Sequence, residues 1–132
     1  MTRTILLTGA SGVVGQALLP RLLQSGDRVI PLVHRNPVAN HGVSSLHGDI
    51  AAPTLGLSEH DHAELAREVD VVVHAAAVTD FNRADGTLEA TNIEGTRNIV
   101  AFAEAADALL YHVSTAFVGV GNTVGRGEGA AA

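Results

Sequence analysis

The chain contains no cysteine, no lysine and no tryptophan, and aromatic residues make up only 3% of it. Without cysteine there is no disulfide framework, no thiolate metal site and no thiol nucleophile, which suits a reducing cytosol. Without lysine, all eight basic residues are arginines, and no covalent route through an amine is evident. So few aromatic rings supply neither a base-stacking platform nor a carbohydrate-stacking surface. The 14 acidic side chains outnumber 8 scattered arginines, and a net charge of -6 argues against a nucleic-acid partner. No apolar run approaches the roughly 18 residues of a membrane span, and the N-terminus has no long apolar region with a cleavage site. These absences predict a soluble, cytoplasmic protein whose chemistry comes from small and polar side chains.

What is present is enough for a core: 132 residues, 46% of them hydrophobic, fit one globular domain. Short β-rich runs alternate with segments of helical period, the pattern of βαβ units around a parallel sheet with helices on both faces. Strands are expected at Ile5-Leu6-Leu7, Arg28 to Val33, Ser44 to His47, Asp70 to Ala75 and Leu109 to Ser114. The first helix, Gly12 to Ser25, places Val13, Val14, Ala17, Leu18, Leu22 and Leu23 on one face and stops at Gly26. Ser58 and Asp61 form a capping-box-like start for a helix through Val69, and Leu88 to Ala105 is a long alanine-rich helix. Pro20 inside the first helix and Pro31 inside the second strand each remove a donor, and Pro31 is tolerable if the short third strand ends before reaching it. Residues 1–119 form the expected domain. Residues 120–132, rich in Gly and Ala, are expected to be a disordered tail.

Between the first strand and first helix lies Thr8-Gly9-Ala10-Ser11-Gly12-Val13-Val14-Gly15, a G-x-x-G-x-x-G loop. Gly9 suits a tight turn, Gly12 a close backbone approach to phosphate and Gly15 tight helix–strand packing, while the helix N-terminus offers amide donors. Such a loop alone is weak evidence and could be a structural turn, but its place after the first strand and at the start of the first helix points to a dinucleotide cofactor.

Roughly 20 residues on, where an acidic side chain would bond a ribose 2′-hydroxyl, the second strand ends in His34-Arg35. Arg35 suits a 2′-phosphate and hence NADPH over NADH, or else it is a solvated loop arginine. After the third strand, Asp49 can accept from an adenine amino group while Ile50 covers the ring, although a Gly-Asp turn alone is equally a plain turn. Ala75-Ala76-Ala77 either let backbone approach the cofactor or pack as ordinary small residues. Ser114 and Thr115 end the fifth strand, where a hydroxyl could stabilise charge on a substrate oxygen or simply cap a turn. Of seven histidines, only His60 and His62 lie close in sequence, and two residues apart on a helix they diverge, so a metal site is not expected.

From Thr4 to about Gly119 the chain resembles the extended short-chain dehydrogenase/reductase superfamily. The resemblance rests on the glycine loop, Gly48-Asp49, His74-Ala75-Ala76 and Asn92-Ile93-Glu94-Gly95-Thr96-Arg97-Asn98, in that order. A narrower likeness, to the thioester reductase branch with the fatty acyl-CoA reductases, comes from Gly48 to Leu57, Thr79-Asp80-Phe81 and His112 to Val118. The resemblance implies a truncated Rossmann-like sheet of strand order 3-2-1-4-5, and NADPH delivering hydride to an acyl thioester on coenzyme A or a carrier protein. It aligns the active-site hydroxyl with Thr115, places Ser114 near the nicotinamide and matches Asn92 to the superfamily's helix asparagine. The Tyr-x-x-x-Lys pair it also implies is missing, because the sole tyrosine, Tyr111, precedes Ser114 and there is no lysine. The expectation is therefore an N-terminal, catalytically incomplete part of such a reductase. A non-catalytic dinucleotide-binding module is an alternative. A sugar-nucleotide epimerase or dehydratase of the same superfamily is another, and many of those carry Asp where Arg35 stands.

Overall fold

The computed structural model describes residues 2–10, 12–34, 44–75 and 87–113. Five parallel strands, β1 (Thr4–Thr8), β2 (Arg28–Val33), β3 (Leu46–His47), β4 (Val71–His74) and β5 (Leu109–His112), form one sheet of order β3-β2-β1-β4-β5. Helices α1 (Val13–Gln24), α2 (Glu59–Glu68) and α3 (Thr87–Ala106) provide the crossovers, and a 3-10 turn at Pro53–Gly56 follows β3. The expected strand order is the observed one.

Alternation along the central strands divides the core between the two faces of the sheet. Ile5 and Leu7 of β1 join Val29, Val71, Val73, Ala10 and Leu19 under α1. Leu6 points the other way, with Leu32, Val72, Leu55, Leu65, Ile99 and Phe102 under α2 and α3. The register makes this consistent, since Ile5, Leu6 and Leu7 stand beside Val71, Val72 and Val73.

The buried stripe of α1 differs from the expected one: Ala17 is exposed, whereas Leu19 is fully buried. The stripe runs through Gly15, Leu18, Leu19, Leu22 and Leu23, centred on the glycine that touches the turn after β1. A contact made by a residue without a side chain leaves no apolar signal. The helix continues through Pro20 and ends with Gly26 at φ 88.

The third strand is only Leu46–His47, not Ser44 to His47, and pairs with Leu32 and Val33 alone. Val33 O accepts from Gly48 N at 2.9 Å, so by alternation Pro31 also faces that side, ahead of the point where β3 begins. No ladder donor is asked of it there. Likewise β4 stops at His74 and β5 at His112, each shorter than its apolar run suggests. Ser58 caps α2, its hydroxyl accepting from Asp61 N at 3.0 Å. Helix α3 runs one residue further at each end than its periodicity indicates. It closes with Asp107 at φ 55, while Ala108 N donates to Ala103 O and Asp107 N to Glu104 O, a Schellman pair.

Candidate functional site

The sheet order reverses between β1 and β4, and the crevice beyond the carboxyl ends of such strands is where open α/β sheets bind ligands. Among the segments that leave the sheet at this edge are the glycine turn after β1, the loop after β3 and the exit of β4 at Ala75.

In the glycine turn, Gly9 adopts φ 75, which a side chain would resist, and Gly12 N donates to Gly9 O at 3.0 Å. Gly12 then becomes the N-cap of α1 without a side-chain cap, and the first turn holds no acidic residue. The first amides of the helix, on Val13, Val14 and Gly15, precede any possible intrahelical acceptor. Gly15 is demanded by packing, because a Cβ there would lie 1.9 Å from Gly9 O and 2.6 Å from Ala10 Cα. Gly12 is different: among the described residues a Cβ there meets nothing closer than Gly9 O, at 3.4 Å.

Beneath the turn, Thr8 and His74 are both buried, and Thr8 Oγ1 is hydrogen-bonded to His74 Nδ1 at 2.7 Å. The same oxygen accepts from Ala75 N at 3.1 Å. His74 Nε2 lies 3.4 Å from Thr96 Oγ1 on α3, and its ring packs against that of His112 with centroids 5.1 Å apart. Burial first, then the neighbouring His112, lowers the His74 pKa from 6.5 to about 4. His74 is therefore a neutral pin joining β1, β4 and α3.

The loop after β3 carries Asp49 and Ile50. Asp49 Oδ1 accepts from Ala51 N at 2.9 Å, while Oδ2 lies 3.7 Å from His34 Nε2 on a half-exposed side chain. Ile50 packs onto α3 over Gly95, where an added Cβ would come within 2.7 Å of Ile50 Cδ1. Asn98, on the same helix, donates from Nδ2 to Ile50 O at 2.7 Å and to Ala52 O at 3.2 Å. The 3-10 turn returns beneath, with Leu55 fully buried and Asp49 N donating to Leu55 O at 2.9 Å.

Of the residues singled out in the sequence, Thr8, Gly9, Gly12, Val13, Val14 and Gly15 thus come together at one edge with Ala75, Asp49 and Ile50. Asn92 lies in α3. Ser11, Arg35, Ala76, Ala77, Ser114 and Thr115 lie outside the described residues, as do Thr79-Asp80-Phe81 and the 120–132 segment. Sequence reasoning quoted His74, Gly95, Thr96 and Asn98 within motifs but gave them no role. A histidine closing an otherwise all-valine strand, and two polar residues on a helix beside a glycine, were the signals. Among the described residues no group of three or more histidine or acidic side chains could hold a metal, and no helix is long and apolar enough to cross a membrane.

The family described as male sterility protein, an NAD-binding family, matches residues 36–128. An isonitrile lipopeptide synthase from Streptomyces coeruleorubidus is 33% identical over 84% of this chain, which spans 9% of that relative. A hybrid polyketide synthase-nonribosomal peptide synthetase, mpsA, from Macrophomina phaseolina is 37% identical over 88% of this chain, which spans 3% of it. Among solved structures, the terminal R domain of the myxalamid synthetase pathway superposes with a TM-score of 0.76 at 32% identity, covering 86% of this chain and 35% of that domain. The reductase domain of a nonribosomal peptide synthetase from Mycobacterium tuberculosis gives a TM-score of 0.69 at 28% identity, covering 88% and 34%. The sheet order, the glycine turn at the switch point and these matches lead to one conclusion: the chain belongs to the NAD-binding male sterility protein family, within the extended short-chain dehydrogenase/reductase superfamily.

Proposed function

We propose that these residues are the NADPH-binding part of a thioester reductase, acting on an acyl group carried as a thioester on a carrier protein or coenzyme A. The observation that carries this reading is Gly12. Among the described residues there is room for a side chain there, so packing against them does not call for glycine, whereas a diphosphate lying against the exposed start of α1 does. The uncapped amides of Val13, Val14 and Gly15 would hold its oxygens, with Thr8, Gly9 and Ser11 shaping the turn. Asp49 and Ile50 would receive the adenine, Arg35 the 2′-phosphate, and Ala75, Ala76 and Ala77 would line the path to the nicotinamide. The bound cofactor would supply hydride to the thioester carbonyl carbon, giving the aldehyde and a thiolate that takes its proton from water. Thr115, with Asn92 and Ser114 nearby, would hydrogen-bond the carbonyl oxygen as charge builds on it.

A threonine hydroxyl is too weak an acid to replace the tyrosine whose pKa an adjacent lysine lowers, and general acid catalysis contributes about 10²–10⁴-fold. With no lysine in the sequence, the chain alone is expected to bind cofactor without turning over a thioester. Calorimetric titration with NADPH and NADH tests the cofactor reading. One charge-assisted contact from Arg35 favours NADPH by about tenfold to hundredfold, and Arg35→Ala should erase the difference. Equal affinities in the unmodified chain would remove the 2′-phosphate from the proposal.

A further inference from the structure

We infer that Asn98 is a positioning residue for adenine recognition, acting from α3 through the Ile50–Ala51 peptide onto the carboxylate of Asp49. The inference rests on the reading above, in which Asp49 and Ile50 receive the adenine. Asn98 Nδ2 donates to Ile50 O at 2.7 Å and to Ala52 O at 3.2 Å, crossing from the helix to the loop. Two carbonyl acceptors on one side fix the amide with its NH₂ toward the loop. The carbonyl of Ile50 and the N–H of Ala51 belong to the same planar peptide unit, so holding one fixes the direction of the other. That N–H donates to Asp49 Oδ1 at 2.9 Å. Oδ1 is thereby engaged by the backbone, which leaves Oδ2, on a half-exposed side chain and 3.7 Å from the exposed His34 ring, as the accepting oxygen. An exocyclic amino group is a donor that this oxygen can accept. A purine bearing a carbonyl at that position presents an acceptor to it and is repelled.

The side chain of Ile50 is held by the same helix. Gly95 leaves the space into which Ile50 Cδ1 fits, within 2.7 Å of where a Cβ would stand. Asn98 and Gly95 lie three residues apart on one face of α3, so one helix sets both the apolar surface for the ring and the acceptor for its amino group. The strand preceding the loop is too short to do this, since β3 pairs at only Leu46 and His47.

The test compares NADPH with its hypoxanthine analogue, in which the adenine amino group is replaced by oxygen, and uses reduced nicotinamide mononucleotide as a probe without any purine. The unmodified chain should prefer adenine by about tenfold or more, the effect of one hydrogen bond to a charged acceptor. Asn98→Asp, which turns the donor into an acceptor facing two carbonyls, should bring that ratio close to one while leaving mononucleotide binding unchanged. Asn98→Ala removes the donor without adding charge and should act in the same direction, which guards against a variant that does not fold. Asp49→Asn separates the two levels of the argument. If it abolishes the preference while both Asn98 variants keep it, Asn98 is not a positioning residue although the adenine reading stands. If the unmodified chain shows no preference and Asp49→Asn changes nothing, the adenine reading fails and the inference with it.

Discussion

The turn after β1 and the loop after β3 stand at the same edge of the sheet and are held by opposite means. The glycine turn is built locally: Gly9 takes a positive φ at no steric cost, Gly12 closes the turn, and Gly15 lets α1 lie against the backbone of Gly9 and Ala10. The second loop puts Thr54 and Leu55 at φ 54 and 58, a conformation that costs a residue with a side chain about 1–2 kcal/mol. What offsets this is remote in sequence. Leu55 is fully buried in the core under α2 and α3, and Asn98 reaches across from α3. One segment therefore carries its conformation in its own residues, and the other borrows it from the fold.

The strongest way to break that comparison is Gly15→Ala. Its methyl group would sit 1.9 Å from a backbone oxygen rather than from a flexible side chain, so the helix start or the turn must shift. A loss above about 4 kcal/mol is expected, read from denaturant unfolding, together with loss of cofactor binding. A nearly neutral result would mean that the turn is not locally determined.

Leu55→Ala addresses the other loop. Truncating a fully buried leucine should cost about 3 kcal/mol and should raise amide exchange at Asp49, whose N–H bonds Leu55 O. Exchange confined to the 3-10 turn itself would show that Asn98 holds Asp49 without help from Leu55.

Among the described residues the glycine turn has a remote support in His74, beneath Thr8, and pH sharpens its contribution. The His74 pKa is depressed from 6.5 to about 4 in the folded chain, so the unfolded state binds the proton more readily. Stability contributed by neutral His74 is fully present above about pH 6.5. It is lost as pH falls toward about 4, by roughly 3 kcal/mol in total. In His74→Gln this component of the slope disappears, and unfolding profiles of the two proteins between pH 7 and 4 would show it. Parallel profiles would assign the acid sensitivity to another group.

The same contrast explains what could be read in advance. The parallel βαβ alternation and the glycine turn were legible because apolar runs, helical periods and glycine spacing are local signals, whereas the strand order came only with the superfamily resemblance. The true stripe of α1 was not, because its centre, Gly15, makes its contact through a missing side chain. The extent of β3 was hidden for a related reason: a strand is a pairing, and Ser44 and Ser45 have no partner on β2. Asn98 was visible as a letter in a motif, but nothing in its neighbours says that it faces a loop 48 residues earlier.

The sequence by itself determined a parallel βαβ sheet with a glycine turn at its first crossover. Those features need only hydrophobic alternation and one residue type with no Cβ. Only the tertiary structure decided that His74 lies neutral between Thr8 and Thr96 and that the Ile50–Ala51 peptide is turned by Asn98. Burial and hydrogen bonding between distant residues are properties of the packed chain, and they arise when α3 is laid across the sheet.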